Sequence, residues 1–304
     1  MQLGIDTCHL CPRHCGARRN DSQRGYCGAE KELEVANITV HRGEEPPLNP
    51  IVNVFFAHCN LHCIYCQNWQ ISGAESGVWS VESIESLADQ IASQLSTLNS
   101  QLSTTIGFVT AAHYADRIPS ILEAVHQRGY NPTVVYNSSG YESVDTLKSL
   151  EGLVDIYLPD YKSADPEVAK AYSNAPDYPE VAQAALREMR RQVGGGLKVD
   201  DDGRAYRGLI VRHLVLPGAV NNSLQCLDWL SDFVPFGLHL SLMAQYFPPK
   251  HDLPAPLNRC ITAEEYTTVV AHAESLGLTD GWIQELDASQ NYRPDFNDKQ
   301  SVFK

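Results

Sequence analysis

The sequence predicts an α/β protein built on a parallel sheet. One observation is the recurrence of short apolar runs along most of the chain. A second is the helical period of the stretches between them, with apolar residues at i, i+3 and i+4. The third is size: 304 residues, 43% hydrophobic, bury a large core as one main domain with an appendage. Strand–helix alternation repeated about six times fits either an α/β barrel or an open doubly wound sheet. No G-x-G-x-x-G follows any apolar run, which argues against dinucleotide binding.

Three parts follow in chain order. Residues 1–46 form a segment rich in Cys, Arg and Gly that lacks a period and ends at the turn-forming EEPPLNP. Residues 47–287 hold the alternation. Its apolar runs are VNVFFA (52–57), TIGFVT (105–110), PTVVYN (132–137), LVDIYL (153–158), GLIVRHLVL (208–216), GLHLSLM (237–243) and WIQEL (282–286). Helical stretches include VESIESLADQIASQL after Ser80 and RIPSILEAVHQRG, which stops at Gly129. The near-tandem QLSTLNS and QLSTT at 94–105 reads as a lengthened helix end or surface loop, and residues 288–304 as a polar, irregular tail.

Composition excludes several classes. No run approaches eighteen apolar residues, so no membrane span is expected. The start, MQLGIDTCHLCPRHC, lacks the apolar core of a secretory signal, and a cytoplasmic protein is expected. Nine cysteines in that setting favour metal binding or catalysis over disulfides. A net charge of −14 argues against nucleic acid or an anionic membrane as partner. The local exception is Arg13, Arg18, Arg19 and Arg24 against Asp21, either a solvated basic loop or a docking patch for a small acidic electron carrier. Of the histidines, His113, His213 and His239 fall on apparent strand ends, where hydrogen-bonded core or rim positions are the ordinary outcome. Glu44 and Glu45, in HRGEEPP, read as solvated residues or as groups reaching into a barrel mouth.

The sharpest motif is CNLHCIYC, with Cys59, Cys63 and Cys66 spaced C-x3-C-x2-C directly after an apolar run. Such a loop sits at the carboxyl end of a parallel sheet, where α/β active sites lie. Three thiolates grip three corners of a [4Fe–4S] cube. If neither Cys226 nor Cys260 returns to the loop, the fourth iron keeps a position for a small molecule. The competing reading is a zinc site completed by His58 or His62.

This spacing resembles the radical S-adenosylmethionine (SAM) enzymes. That resemblance implies a partial (β/α)6 TIM-like barrel, with SAM chelating the unique iron and hydrogen abstraction by a 5′-deoxyadenosyl radical. CNLHCIYCQN further resembles the pyruvate formate-lyase activating enzymes. The likeness implies SAM contacts from Asp160 and Lys162 in LPDYK, Arg212 in VRHLVLPG, Asn137 and Ser138 in YNSSGY, and Tyr65 beside the adenine. Two departures stand out. Where those enzymes carry Gly-Gly-Glu, this chain has VTAAHY, so Thr110 and His113 are the candidates there, and their post-sixth-strand His corresponds to Tyr246. HRGEEPP, VTAAHY, YNSSGYE, DIYLPDYK, RHLVLPG and QYFP, in that order, are similar to the PflX-like branch of the family.

Ahead of the barrel, Cys8, Cys11, Cys15 and Cys27 supply four thiolates in the pattern C-x2-C-x3-C-x11-C, enough for zinc or a second [4Fe–4S] cluster. The expected activity is a radical SAM oxidoreductase acting on a protein or peptide, including activation of a glycyl radical enzyme. A low-potential flavodoxin or ferredoxin would serve as donor. The alternatives are radical modification of a peptide or small metabolite, and a non-catalytic iron–sulfur carrier or assembly factor.

Overall fold

The computed structural model describes residues 7–21, 23–43, 45–73, 79–98, 104–290, 293–298 and 302. The first half comprises β1 (Leu33–His41), β2 (Ile51–Phe56), α1 (Trp69–Ser72), β3 (Ser80–Glu82), α2 (Ile84–Thr97), β4 (Thr105–Val109), α3 (Ile118–Gln127) and β5 (Thr133–Ser138). Then come α4 (Val144–Ser149), β6 (Ile156–Pro159), α5 (Pro166–Ser173), α6 (Tyr178–Val193), β7 (Lys198–Val199) and β8 (Ala205–Leu214). The last elements are α7 (Val220–Ser231), β9 (His239–Met243), α8 (Ala263–Ser275) and β10 (Gly281–Ile283).

The sheet order, β10-β9-β8-β6-β5-β4-β2-β1-β3, decides between the two α/β alternatives. From β2 to β10 the pairing is parallel and each strand lies beside its sequence neighbour among them. A doubly wound sheet would reverse direction at a switch point. This one winds a single way, as a barrel does, but β2 pairs on its other edge with antiparallel β1, so the barrel stays open. The parallel run has a short seventh strand, β10, beyond the six expected units.

Every residue of β2 and of β4 is buried, as expected of parallel strands covered on both faces. Helix α2 starts where the Ser83 hydroxyl accepts the Ser86 N–H, and it buries Leu87, Ala88, Ile91 and Leu95. Residues 99–103, inside the near-tandem stretch, lie outside the described residues.

Strand β1 was not foreseen. Its pairing with β2 shifts register between Val35 and Asn37, and that shift breaks the two-residue alternation by which a strand is recognised. In the polar tail, Phe296 and Val302 pack with Phe55, Ile71 and Val109 against the sheet.

The basic loop is also not a free docking patch. Arg13 lies 4.0 Å above the Tyr26 ring. Its Nε donates to the Asn60 carbonyl (3.0 Å) and its Nη1 to the Asn174 carbonyl (2.8 Å). Arg19 donates to the His113 carbonyl (2.5 Å) and the Cys27 sulfur (3.5 Å). Arg24 pairs with Glu30, and Arg18 with Asp21. Two of the four guanidiniums therefore fasten the Cys-rich segment to the barrel. Arg13→Met removes two hydrogen bonds, one of them to the part-buried Asn60 carbonyl, so urea denaturation should show a loss of about 1–2 kcal/mol. Arg18→Met, at an exposed pair, should change stability by less than about 0.5 kcal/mol.

Candidate active site

At the carboxyl ends of the strands lies a cavity of about 320 Å³. Cys59, Cys63, Tyr65, Cys66, Thr110, Asn137, Ser138, Asp160, Lys162 and Arg212 all line it. They come from the loops and ends of five elements, β2, β4, β5, β6 and β8, which the parallel topology aims in one direction.

The cysteine loop leaves β2 through His58, whose φ of +70° turns the chain. That ring bonds the buried Glu34 carboxylate at 2.8 Å, and Glu34 also accepts from Trp79 Nε1 at 2.9 Å. The Leu61 N–H points at Cys59 Sγ (3.3 Å), and the Asn68 amide supports Cys66 in the same way. Burial pushes the Cys59 thiol far above its usual pKa, and repulsion from Cys63 and Cys66 pushes it further. Cys66 is raised by burial and by Cys63. The three sulfurs thus feel one another. Among the described residues, no three His, Cys, Asp or Glu side chains form a metal-holding group.

None of the expected competitors lines the cavity. Cys226 is buried on α7 and Cys260 is exposed. His58 Nε2 bonds Glu34, and the His62 ring stacks on Tyr26 at 4.3 Å.

Lys162 contacts Asp160 at 2.5 Å. Burial works against the ammonium, but the Asp160 carboxylate outweighs it and raises the Lys162 pKa well above its ordinary value. The pair is built tightly: a Cβ on Gly140, where φ is +79°, would stand 2.3 Å from the Asp160 carbonyl. Arg212 is held in both prongs by Glu45, at 2.8 and 2.7 Å. Burial pulls the Glu45 carboxyl up, yet Arg212 wins and the net shift is downward. Glu44 lies outside the described residues.

Thr110 caps β4 with φ +58°, a left-handed conformation uncommon for a β-branched residue, and its N–H donates to the Asn137 carbonyl at 3.0 Å. Ser138 donates to Glu142 at 2.6 Å. Tyr65 is buried, edge-on to Tyr172.

Two expectations are corrected. His113 is fully buried, does not line the cavity, and its Nε2 is bonded to the Ala57 carbonyl at 2.8 Å; it supports the cysteine loop from behind. Tyr246 is turned into the core with its hydroxyl on the Leu257 carbonyl (2.5 Å), and its neighbour Gln245 lines the cavity instead. Gln67, Gln284 and Trp282 also line it and were not foreseen. Gln67 and Gln245 sit inside quoted motifs, whereas Gln284 carries no signal in WIQEL.

The Cys-rich segment lies close by. Its chain pinches where Cys8 N–H meets the Ala17 carbonyl and Gly16 N–H the Cys8 carbonyl. Cys11 is raised to about 12 by burial, against the Arg13 amide, with further repulsion from Cys27 and Cys8. Cys27 is raised by burial, with added repulsion from Cys8 and Cys15.

No protein-family model matches the chain. Over 275 residues it is 28% identical to "Uncharacterized protein MJ0674" of Methanocaldococcus jannaschii, covering 89% of this chain and 75% of that one. "Uncharacterized protein MJ0808" of the same organism is 30% identical over 81 residues, 21% of this chain and 24% of that one. Among solved structures, "Native anSMEcpe with bound AdoMet and Cp18Cys peptide" superimposes with a TM-score of 0.51 at 12% identity, covering 72% of this chain. The chain spans 56% of that protein's length. This likeness shows the fold, an α/β partial barrel.

Glu142 gives the site a pH response. Burial lifts its carboxyl to about 7, against the hydrogen bonds from Ser138 and Tyr136, from an ordinary value of 4.5. A raised acid contributes stability that is complete below the unfolded pKa and lost as pH rises through the folded one. Glu142→Gln should therefore gain stability relative to the parent between pH 5 and 8, by up to about 3 kcal/mol. Thermal melts across that range check it, and a flat difference would count against the assignment.

Proposed function

We propose that this chain is a radical SAM enzyme whose catalytic [4Fe–4S] cluster is held by Cys59, Cys63 and Cys66. One observation carries the reading: the three cysteines share a cavity with the Asp160–Lys162 pair, at the carboxyl end of a partial barrel, and no fourth cysteine lines that cavity among the described residues. The donor set suits the group. Burial raises Cys59 and Cys66, the Cys63 sulfur repels both, and backbone amides are aimed at sulfur, so a bound cation is favoured over three bare thiolates. The anSMEcpe structure, whose fold is similar, was solved with AdoMet bound.

When bound, cluster and SAM together supply reductive cleavage of the sulfonium and hydrogen-atom abstraction. The chain's own residues orient and shield. Lys162 and Asp160, an ion pair, match the carboxylate and ammonium of the methionine moiety without leaving either charge unpaired. Asn137 and the strained Thr110 face the same cavity, Tyr65 covers the adenine side, and the buried walls exclude water. Arg212 acts chiefly by holding Glu45.

The substrate is a protein or peptide, with activation of a glycyl radical enzyme as one form of that activity. A flavodoxin or ferredoxin supplies the electron. Cys8, Cys11, Cys15 and Cys27 hold a second group, zinc or another cluster; the buried Cys11 and Cys27 thiols, which Cys8 repels, and the amides of Arg13 and Ala29 directed at them support this.

Anaerobically reconstituted, reduced protein given SAM should form 5′-deoxyadenosine, and Cys59→Ser should abolish it. Absence of the product, together with a cluster spectrum in electron paramagnetic resonance that ignores SAM, would sink the proposal. Metal analysis distinguishes zinc with about four irons from about eight irons without zinc.

A further inference from the structure

The charged groups that line the cavity pair with one another. The carboxylate, ammonium and guanidinium groups lining it among the described residues are matched one to one, Lys162 with Asp160 and Arg212 with Glu45. The same lining carries three glutamine side-chain amides, Gln67, Gln245 and Gln284.

These amides form one continuous circuit. The Ala244 N–H donates to Gln284 Oε1 at 3.0 Å, and Gln284 Nε2 to Gln245 Oε1 at 2.8 Å. Gln245 Nε2 donates to Gln67 Oε1 at 3.0 Å, and Gln67 Nε2 returns to the Gln245 carbonyl at 3.0 Å. A backbone N–H only donates and a backbone carbonyl only accepts, so the two ends fix which way every amide in the chain points. The anchorage is firm: the Gln284 N–H bonds the Leu242 carbonyl of β9, and Tyr266 donates to the Gln284 carbonyl at 2.8 Å. Each glutamine keeps a further N–H and a further oxygen lone pair beyond those bonds.

We infer that Gln67, Gln245 and Gln284 form the substrate-recognition wall, and that it takes an uncharged carboxamide in preference to a carboxylate or an amine. The inference rests on the radical SAM reading of the same cavity. An amide offers one donor and one acceptor and satisfies both kinds of spare group. A carboxylate only accepts and an ammonium only donates, and either brings a charge whose possible partners are already paired. The zwitterionic carboxylate and ammonium of the SAM methionine moiety escape that penalty against the Lys162–Asp160 pair; an isolated carboxylate or ammonium on a substrate does not.

The test uses the SAM-loaded holoenzyme and ligand-observed NMR with three probes: N-acetylglycinamide, N-acetylglycine and a capped triglycine amide. The amide should bind saturably and at least about tenfold more tightly than the carboxylate. Gln284→Leu and Gln284→Glu should each weaken the amide by about tenfold, with SAM affinity measured on the same samples as the check on folding. Tighter binding of the capped triglycine identifies a peptide backbone as the source; equal binding identifies a small carboxamide. Equal or tighter binding of the carboxylate, no saturable amide binding, or an amide affinity unchanged in folded Gln284→Leu overturns the inference. Parent protein that forms 5′-deoxyadenosine yet shows no amide preference defeats this inference alone, whereas failure to form it defeats the reading beneath.

Discussion

Cys59, Cys63 and Cys66 line one cavity, where burial raises the Cys59 and Cys66 thiols and the neighbouring Cys63 sulfur raises both further. A bare chain resolves this by keeping thiols protonated, and a bound cationic centre resolves it by making thiolates favourable. Under the proposed function the surroundings favour the second outcome. Strand β2 delivers the loop to the open end of the sheet, the Glu34–His58 pair fixes the turn, and the Leu61 amide is aimed at sulfur.

The same logic of paired charge runs through the rest of the cavity. Half-buried Arg212 and buried Glu45 would each be costly alone, and together they form a two-pronged strut between the β1–β2 connection and β8. Lys162 and Asp160 do likewise at the end of β6. With those groups engaged, the hydrogen-bonded glutamines Gln67, Gln245 and Gln284 are uncharged polar groups of the same lining.

The Cys-rich segment is tied into this arrangement. Arg19 spans from the Cys27 sulfur to the His113 carbonyl, and the His113 ring holds the Ala57 carbonyl two residues before Cys59. Arg13 reaches the Asn60 carbonyl on the far side of the same cysteine. A change at the N-terminal sulfurs is thereby in mechanical contact with the loop that carries the other three.

By itself the sequence determined the α/β alternation, the C-x3-C-x2-C loop after the first parallel strand, and the presence of Asp160, Lys162 and Thr110 at strand ends, because each is local in the chain. Only the tertiary structure decided what depends on contact between distant segments. Arg212 meets Glu45 across 167 residues, and Gln67 meets Gln245 across 178. The turn after β4 points Thr110 into the cavity and His113 behind it, though they stand three residues apart, because Thr110 adopts a left-handed backbone that spacing does not reveal. Likewise β1 was hidden by its register shift, and Gln284 by a short strand whose role comes entirely from the residues it faces.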